Sequence, residues 1–189
     1  EFPLWVEDRP GVTVEWVVGR AKRRAEQAPL AAVVVDYLQL LAESRREKGA
    51  TRERHVAHQS TRLQQLAREL DCPVILCAQL SRATEADSER RPKLSHLRES
   101  GEIEADAHVV LLLDLTGRAH DRSAADFPAK ARATLERAGL GAHQLPCSAE
   151  EAVAEHLLRV QVAKQKEGPP GGVVWLWLNG AQARVEGLP

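Results

Sequence analysis

Three short apolar runs govern what this chain can fold into. They are VVV at residues 33–35, which ends on Asp36, CPVILCAQL at residues 72–80, which closes on Gln79, and HVVLLLDL at residues 108–115. Each is too short for a helix and too continuously apolar for a strand with one wet face, so each reads as a strand buried on both sides. Between the first two the apolar period turns helical over residues 56–70, with Leu63, Leu66, Ala67 and Leu70 on one face. Strands joined by long crossovers pack back on the sheet as right-handed βαβ units. The expected class is therefore α/β, a mostly parallel sheet flanked by helices.

Ahead of the first run, Thr13 is placed to cap a helix with Trp16, Val17 and Ala21 inward and Lys22, Arg23 and Arg24 outward, ended by Pro29. The charged stretch AESRREKGATRERH at residues 42–55 reads as a mobile loop, as does the polar segment before the third run. Residues 117–155 carry weaker pattern, with helices expected at 129–138 and 148–156. The tail, LLRVQVAK, GGVVWLWLN and AQARVEG, reads as strands joined by turns at Pro169 to Gly172 and at Asn179-Gly180. It extends the sheet in antiparallel fashion. The length of 189 residues suits one domain with one substantial core.

Composition narrows the function classes. With 26 basic and 27 acidic residues, any nucleic-acid binding has to come from a local basic patch. Cys72, Cys77 and Cys147 lack zinc-finger spacing and read as reduced thiols; of seven histidines only His55 and His58 share a helical turn, so no histidine metal cluster is expected. No run is long enough to span a membrane and no signal pattern opens the chain, which makes a cytoplasmic location the expectation. With no methionine anywhere, the sequence as written is not expected to be a primary translation product.

Ligands of open parallel sheets bind beyond the carboxyl ends of the strands, where Asp36 and Gln79 would sit side by side. A carboxylate fixed at a strand tip suits a Mg²⁺ ion carried on a nucleoside triphosphate, because a hard cation wants a positioned oxygen. Taken alone, a strand ending in aspartate is more often a turn or a helix cap.

The surrounding words shift that balance. VVVDYLQLL, CPVILCAQLSRATE, RRPKLSHLRESGEIEADAHVVLLLDL and VAKQKEGPPGGVVWLWLNG occur in that order. They resemble consecutive segments of the C-terminal motor domain of DnaB-type replicative DNA helicases, and LWVEDRPGVTVEWVVGRAKRRAEQ is similar to the segment before them. The resemblance covers nearly the whole chain except residues 117–155. It implies a RecA-like P-loop NTPase core that works as a ring hexamer, using ATP and Mg²⁺ to translocate on single-stranded DNA, with primase and a helicase loader as further partners. Asp36 matches the Mg²⁺-coordinating aspartate and Gln79 the glutamine that senses the γ-phosphate. An amide suits signalling better than proton transfer, since it can change partner when phosphate leaves. Arg98, Glu99, Ser100 and Gly101 match a pore loop that touches the DNA backbone, where arginine supplies charge and glycine lets amides approach phosphate. Arg82, Arg90 and Arg91 are further candidates for that basic lining.

Two departures stand out. The family segment that reads Lys, Gln, Arg and reaches the neighbouring subunit's nucleotide is here Lys164, Gln165, Lys166. Lysine keeps the charge and loses the planar fork. None of the 12 glycines lies in a G-x-x-x-x-G-K-[ST] context, so the loop that cradles the β- and γ-phosphates is not in this sequence. The sequence therefore reads as the C-terminal part of a helicase motor that does not hydrolyse ATP alone. The competing reading is a non-catalytic helicase remnant that binds DNA or helicase subunits.

Overall fold

A computed structural model describes residues 3–44, 50–81, 91–97, 101–115 and 123–188. Contacts divide the chain into two units, Glu1–Leu80 with Leu97–Ala107, and Ser81–His96 with His108–Pro189.

In the first unit the Thr13 hydroxyl accepts from the Trp16 amide at 3.3 Å and starts helix α1, Val14–Ala25. Its inward stripe is Val14, Val18 and Ala21, at the helical spacing. Val17, expected inward, is half-buried at the edge of this stripe and packs against the core, while Trp16, also expected inward, is half-buried on nearly the opposite side of the helix. Helix α2, Arg52–Leu70, starts four residues before the expected helix, with Thr51 as its cap. Residues 52–55 look like loop because they are charged, yet a solvated first turn has that composition, and His55 within it is buried. The helix stops where Asp71 takes a left-handed φ of 48°, a conformation aspartate tolerates.

The two helices are tied by Lys22–Glu69 and His58–Glu15 pairs, both at 2.8 Å. They cover a parallel pair of strands, β1 (Val33–Val35) and β2 (Val74–Leu76), in the register Val33↔Val74, Val34↔Ile75, Val35↔Leu76. Val35, Leu38, Leu63 and Leu66 anchor this core, and Leu38 and Leu66 are fully buried. A side chain of that kind contributes roughly 1.5–3 kcal/mol on burial. Helix α3, Gly101–Asp106, is fastened to α2 at its end, where the Asp106 carboxylate accepts from Thr61 at 3.1 Å and its carbonyl from Gln64 at 2.7 Å.

The second unit is built on an antiparallel sheet in the order β3 (Val109–Leu115), β4 (Leu157–Gln165), β5 (Val173–Asn179), β6 (Arg184–Glu186). The third apolar run thus pairs antiparallel with β4, and parallel pairing among the strands of the described residues is confined to β1 and β2. Burial explains the difference: Val110 and Leu112 are buried while Val109, Leu111 and Leu113 are more than half exposed, the alternation of a strand covered on one face. The β5–β6 connection is a short 3-10 turn, Gly180–Gln182, in which the Asn179 side chain accepts from the Gln182 amide at 3.3 Å and Ala183 adopts a φ of 48°.

Within residues 117–155, helix α4 (Phe127–Ala138) packs Ala131 and Leu135 into a core completed by Leu140, Ala152, Val153 and Leu157. Gly139 ends α4 at a φ of 78°, which lets the Leu140 amide reach back to the Leu135 carbonyl at 2.9 Å. The expected helix at 148–156 is a single α turn, α5 (Ala149–Glu151), running directly into a π turn, Ala152–His156. Among the described residues no helix is long and apolar enough to cross a membrane.

Candidate nucleotide-binding site

Asp36 follows β1 directly, exposed at its carboxyl end, and the Asp36–Tyr37 peptide is cis. The parallel ladder continues past the strands: the Cys77 amide donates to the Val35 carbonyl and the Leu38 amide to the Cys77 carbonyl, each at 2.9 Å. Gln79 therefore emerges from the neighbouring strand at the same end of the pair. A residue that sequence reasoning missed closes the gap. The Gln39 side-chain amide donates to the Gln79 carbonyl at 3.3 Å, and its carbonyl oxygen accepts from the Gln79 amide at 3.1 Å. The two-way bond holds the backbone at Gln79 and leaves the Gln79 side chain exposed to reach a ligand. The only sequence signal for Gln39 was its place three residues after Asp36, in the 3-10 turn that Leu38 buries.

Asp36 and Val34 also line a cavity of about 550 Å³ with Trp5, Trp16 and Leu40. Its walls are mainly apolar with Glu7 and Asp8 among them, Arg20 pairs with Glu7, and Arg24 lies over the Trp5 ring at 5.4 Å. That chemistry suits the packing of an apolar group better than a triphosphate. A Mg²⁺ ion asks less, since one or two carboxylates plus phosphate oxygens and water complete its shell. The exposed Asp36 carboxylate fits that donor set.

In the second unit Lys164 lies half-buried on β4 opposite Val110, and Lys166 is exposed just past the end of the strand. The register shifts between Val110 and Leu111, so that Ala163 is left over as a bulge beside Lys164. Bulges re-aim the side chains next to them. The Lys166 amide is held by the His108 carbonyl at 2.9 Å. The structure thus brings Asp36 and Gln79 together in the first unit, while Lys164 and Lys166 belong to the second. Gly101 opens α3 with nothing near the place a Cβ would occupy. Arg82, Arg90, Arg98, Glu99 and Ser100 lie outside the described residues.

Arg91 lines a smaller cavity with Lys93 and Arg159. Arg159 faces its cross-strand partner Asp114 at 3.6 Å, with the two side chains 11% and 10% exposed. This is an ion pair beyond hydrogen-bond length. Burial pushes the Asp114 carboxyl above its ordinary range, and the positive charges of Arg159 and Arg91 only partly offset that. Elsewhere in the unit Cys147, Glu151 and His156 converge, their ligand atoms within 4.8 Å of one another. Burial, and then the Glu151 carboxylate, push the Cys147 thiol up.

Residues 1–184 match the DnaB-like helicase C terminal domain family. The chain belongs to that family. Over 114 residues, 60% of this chain, it is 41% identical to the replicative DNA helicase DnaB of Mycobacterium intracellulare, spanning 19% of that protein's length. Over 110 residues it is 39% identical to the replicative DNA helicase DnaC of Bacillus subtilis, covering 58% of this chain and 24% of that protein. Among solved structures it is similar to a DnaB-like replicative helicase described with its interactions with primase, at 27% identity and a TM-score of 0.71 over 97% of this chain and 36% of that one. The DnaB-like chain is accordingly α/β with a RecA-like core. It spans well under two thirds of these relatives, and its strand-tip pair, Asp36 and Gln79, occupies the end of the parallel strands where such cores bind ligands.

Proposed function

We propose that this chain is the C-terminal part of the motor domain of an ATP-dependent replicative DNA helicase. In this reading Asp36 holds Mg²⁺ on ATP and Gln79 reports the departure of phosphate. The observation that carries it is the placing of an exposed carboxylate and an exposed amide at the carboxyl ends of adjacent parallel strands, with Gln39 bracing the second. The bound Mg²⁺ would neutralise charge developing on the phosphates. What the residues of this chain do is orient it from Asp36 and pass a change at the phosphate to Gln79, whose backbone is fixed and whose side chain is free to turn.

Lys164 and Lys166, steered by the bulge at Ala163, serve a nucleotide held by the neighbouring subunit of a ring hexamer. Arg98, Glu99 and Gly101 contact the backbone of single-stranded DNA, and α3, which Gly101 opens, is anchored to α2 through Asp106. Primase and a helicase loader are partners of the assembled protein, which works in the cytoplasm. Residues 1–189 alone hydrolyse no ATP, because phosphoryl transfer is nearly all positioning and electrostatics and the sequence has no G-x-x-x-x-G-K-[ST] loop.

The test uses an assembly of this chain with a phosphate-loop segment, covalently or in trans, that hydrolyses ATP. Asp36→Asn should lower turnover by on the order of 10² or more, the size of effect seen when one positioned electrostatic group is removed. In the same assembly Arg98→Ala should reduce the salt slope of single-stranded DNA binding by about 0.7. Undiminished hydrolysis by Asp36→Asn would refute the assignment. The second reading, a non-catalytic DNA- or helicase-binding remnant, draws on Lys166 in the arginine position. It predicts that no added phosphate loop restores hydrolysis.

A further inference from the structure

We propose that Cys147, Glu151 and His156 form a binding site for a divalent transition-metal ion of the zinc class, where residues 117–155 lead into β4. The ligand atoms already lie within 4.8 Å of one another. Sulfur, imidazole nitrogen and carboxylate oxygen are the donors such an ion takes, and bond lengths of 2.0–2.3 Å in a tetrahedron put neighbouring donors roughly 3.3–3.8 Å apart. Glu151 is exposed, so its side chain has room to turn towards an ion.

Local structure accounts for the convergence. Ser148 caps α5, its hydroxyl accepting from the Glu151 amide at 3.1 Å. Glu151 and His156 are five residues apart, which on an α-helix would set them about 140° apart around the axis. Here the chain widens into a π turn, with the Leu157 amide donating to the Ala152 carbonyl five residues back. An i→i+5 turn returns residues five apart to one side, and π turns of this kind concentrate at functional sites. Cys147 reaches the same side from the residue before the cap and packs against the core of Ala131, Leu135, Val153 and Leu157, so one flank of the cluster is dry.

The second, independent observation is the state of the His156 ring. Its Nδ1 lies 2.8 Å from the Leu178 carbonyl oxygen, which can only accept, so Nδ1 is the donor and Nε2 is the nitrogen able to offer a lone pair to an ion. A ring nitrogen donating to a backbone carbonyl while the other faces a cation is the usual support of a metal-ligating histidine. The ring is also stacked on Trp177, with centroids 4.9 Å apart and planes within 10°. Its direction is therefore set before any ion arrives. Three protein donors leave a fourth position for water. Such an ion would pin the loop at Cys147 to the residue just before β4.

Cobalt(II) is the probe, added to the full 189-residue chain under reducing conditions without chelator. One equivalent should give tetrahedral d–d absorption together with a sulfur-to-cobalt charge-transfer band, and Zn²⁺ should bleach both and raise the melting temperature. Cys147→Ser should abolish the charge-transfer band. His156→Gln should weaken binding at least about tenfold, the lower bound for disturbing even the support of a ligand. Because Cys147 also packs against the core, Glu151→Gln provides a variant at an exposed position: it should keep the band and bind more weakly. The Cys72→Ser, Cys77→Ser double variant should behave as the parent. A band that survives Cys147→Ser, one lost with Cys72 and Cys77, or unchanged affinity in both Glu151→Gln and His156→Gln would overturn the site.

Discussion

Gln39 and Gln79 hold each other by two hydrogen bonds in opposite senses, the side-chain amide of the first closing on both backbone groups of the second at 3.3 and 3.1 Å. The turn that follows Asp36 is thereby tied to the tip of the next strand. A shift at either residue moves the other, which is the mechanical link that the proposed sensing role of Gln79 requires.

Removing that link has a local signature. A neutral hydrogen bond contributes about 0.5–1.5 kcal/mol net, and solvent reaches this pair, so Gln39→Ala should cost about 1 kcal/mol or less for the two together. The Gln79 amide loses its acceptor, and its hydrogen exchange should accelerate severalfold to tenfold while amides in α2 keep their protection. Equal exchange at Gln79 in both proteins would show that the pair does not form in solution.

The Asp114–Arg159 pair makes a prediction about pH. Asp114 is raised above its ordinary 3.8, chiefly by burial, so in the window from 3.8 up to its raised value the folded chain holds more protons than the unfolded one. Stability attributable to this group is therefore present at the acid end of the window and is lost as pH climbs through it. Asp114→Asn cannot titrate. Whatever the substitution costs by leaving Arg159 without its counter-charge, the variant should gain on the wild type as pH rises across that window in urea unfolding series. A difference independent of pH would mean that Asp114 titrates alike in the folded and unfolded chains.

What could be read from the sequence follows from which forces act locally. The strand-end positions of Asp36 and Gln79 were legible because each short apolar run stops at a polar residue, and the Thr13 cap because capping needs only a side chain and an amide three residues on. The start of α2 was hidden by the charge of Arg52, Glu53 and Arg54, which is as suited to a solvated helical turn as to a loop. The direction of β3 was hidden too: a run of valine and leucine signals burial on both faces, and nothing local to it reveals that Leu111 and Leu113 stay half exposed. Gln39 and the Cys147, Glu151, His156 cluster depend on a turn whose hydrogen-bond period no composition announces. They became visible only once the 3-10 and π turns were in place.

Lys166 stands where the family resemblance calls for an arginine. Charge alone stabilises the developing negative charge of phosphoryl transfer, but a planar fork can serve two oxygens at once. Arginine fingers are worth roughly 10³ to 10⁵ in turnover in other NTPases. In an assembly that hydrolyses ATP, Lys166→Arg should raise turnover at least about tenfold, equivalent to about 1.4 kcal/mol of barrier. No increase would assign the finger role to Lys164 or to another residue.

The face of the parallel pair opposite the helices supplies the last prediction. Val34 and Ile75 are register partners on β1 and β2 and are 62% and 53% exposed, although β-branched side chains at such positions normally meet a covering layer. Val34 also opens onto the apolar cavity walled by Trp5, Trp16 and Leu40, so the exposed face is continuous with an apolar space. Contiguous apolar surface of this kind drives association. The purified 189-residue chain should therefore self-associate, seen as sedimentation that quickens with concentration. Placing charge on the face with Ile75→Lys should move it towards the monomer at little cost in stability, since Ile75 is not in the core. Sedimentation of the unmodified chain as an ideal monomer across the accessible concentration range would show that this face is tolerated in water, and would remove the reason to expect a covering segment there.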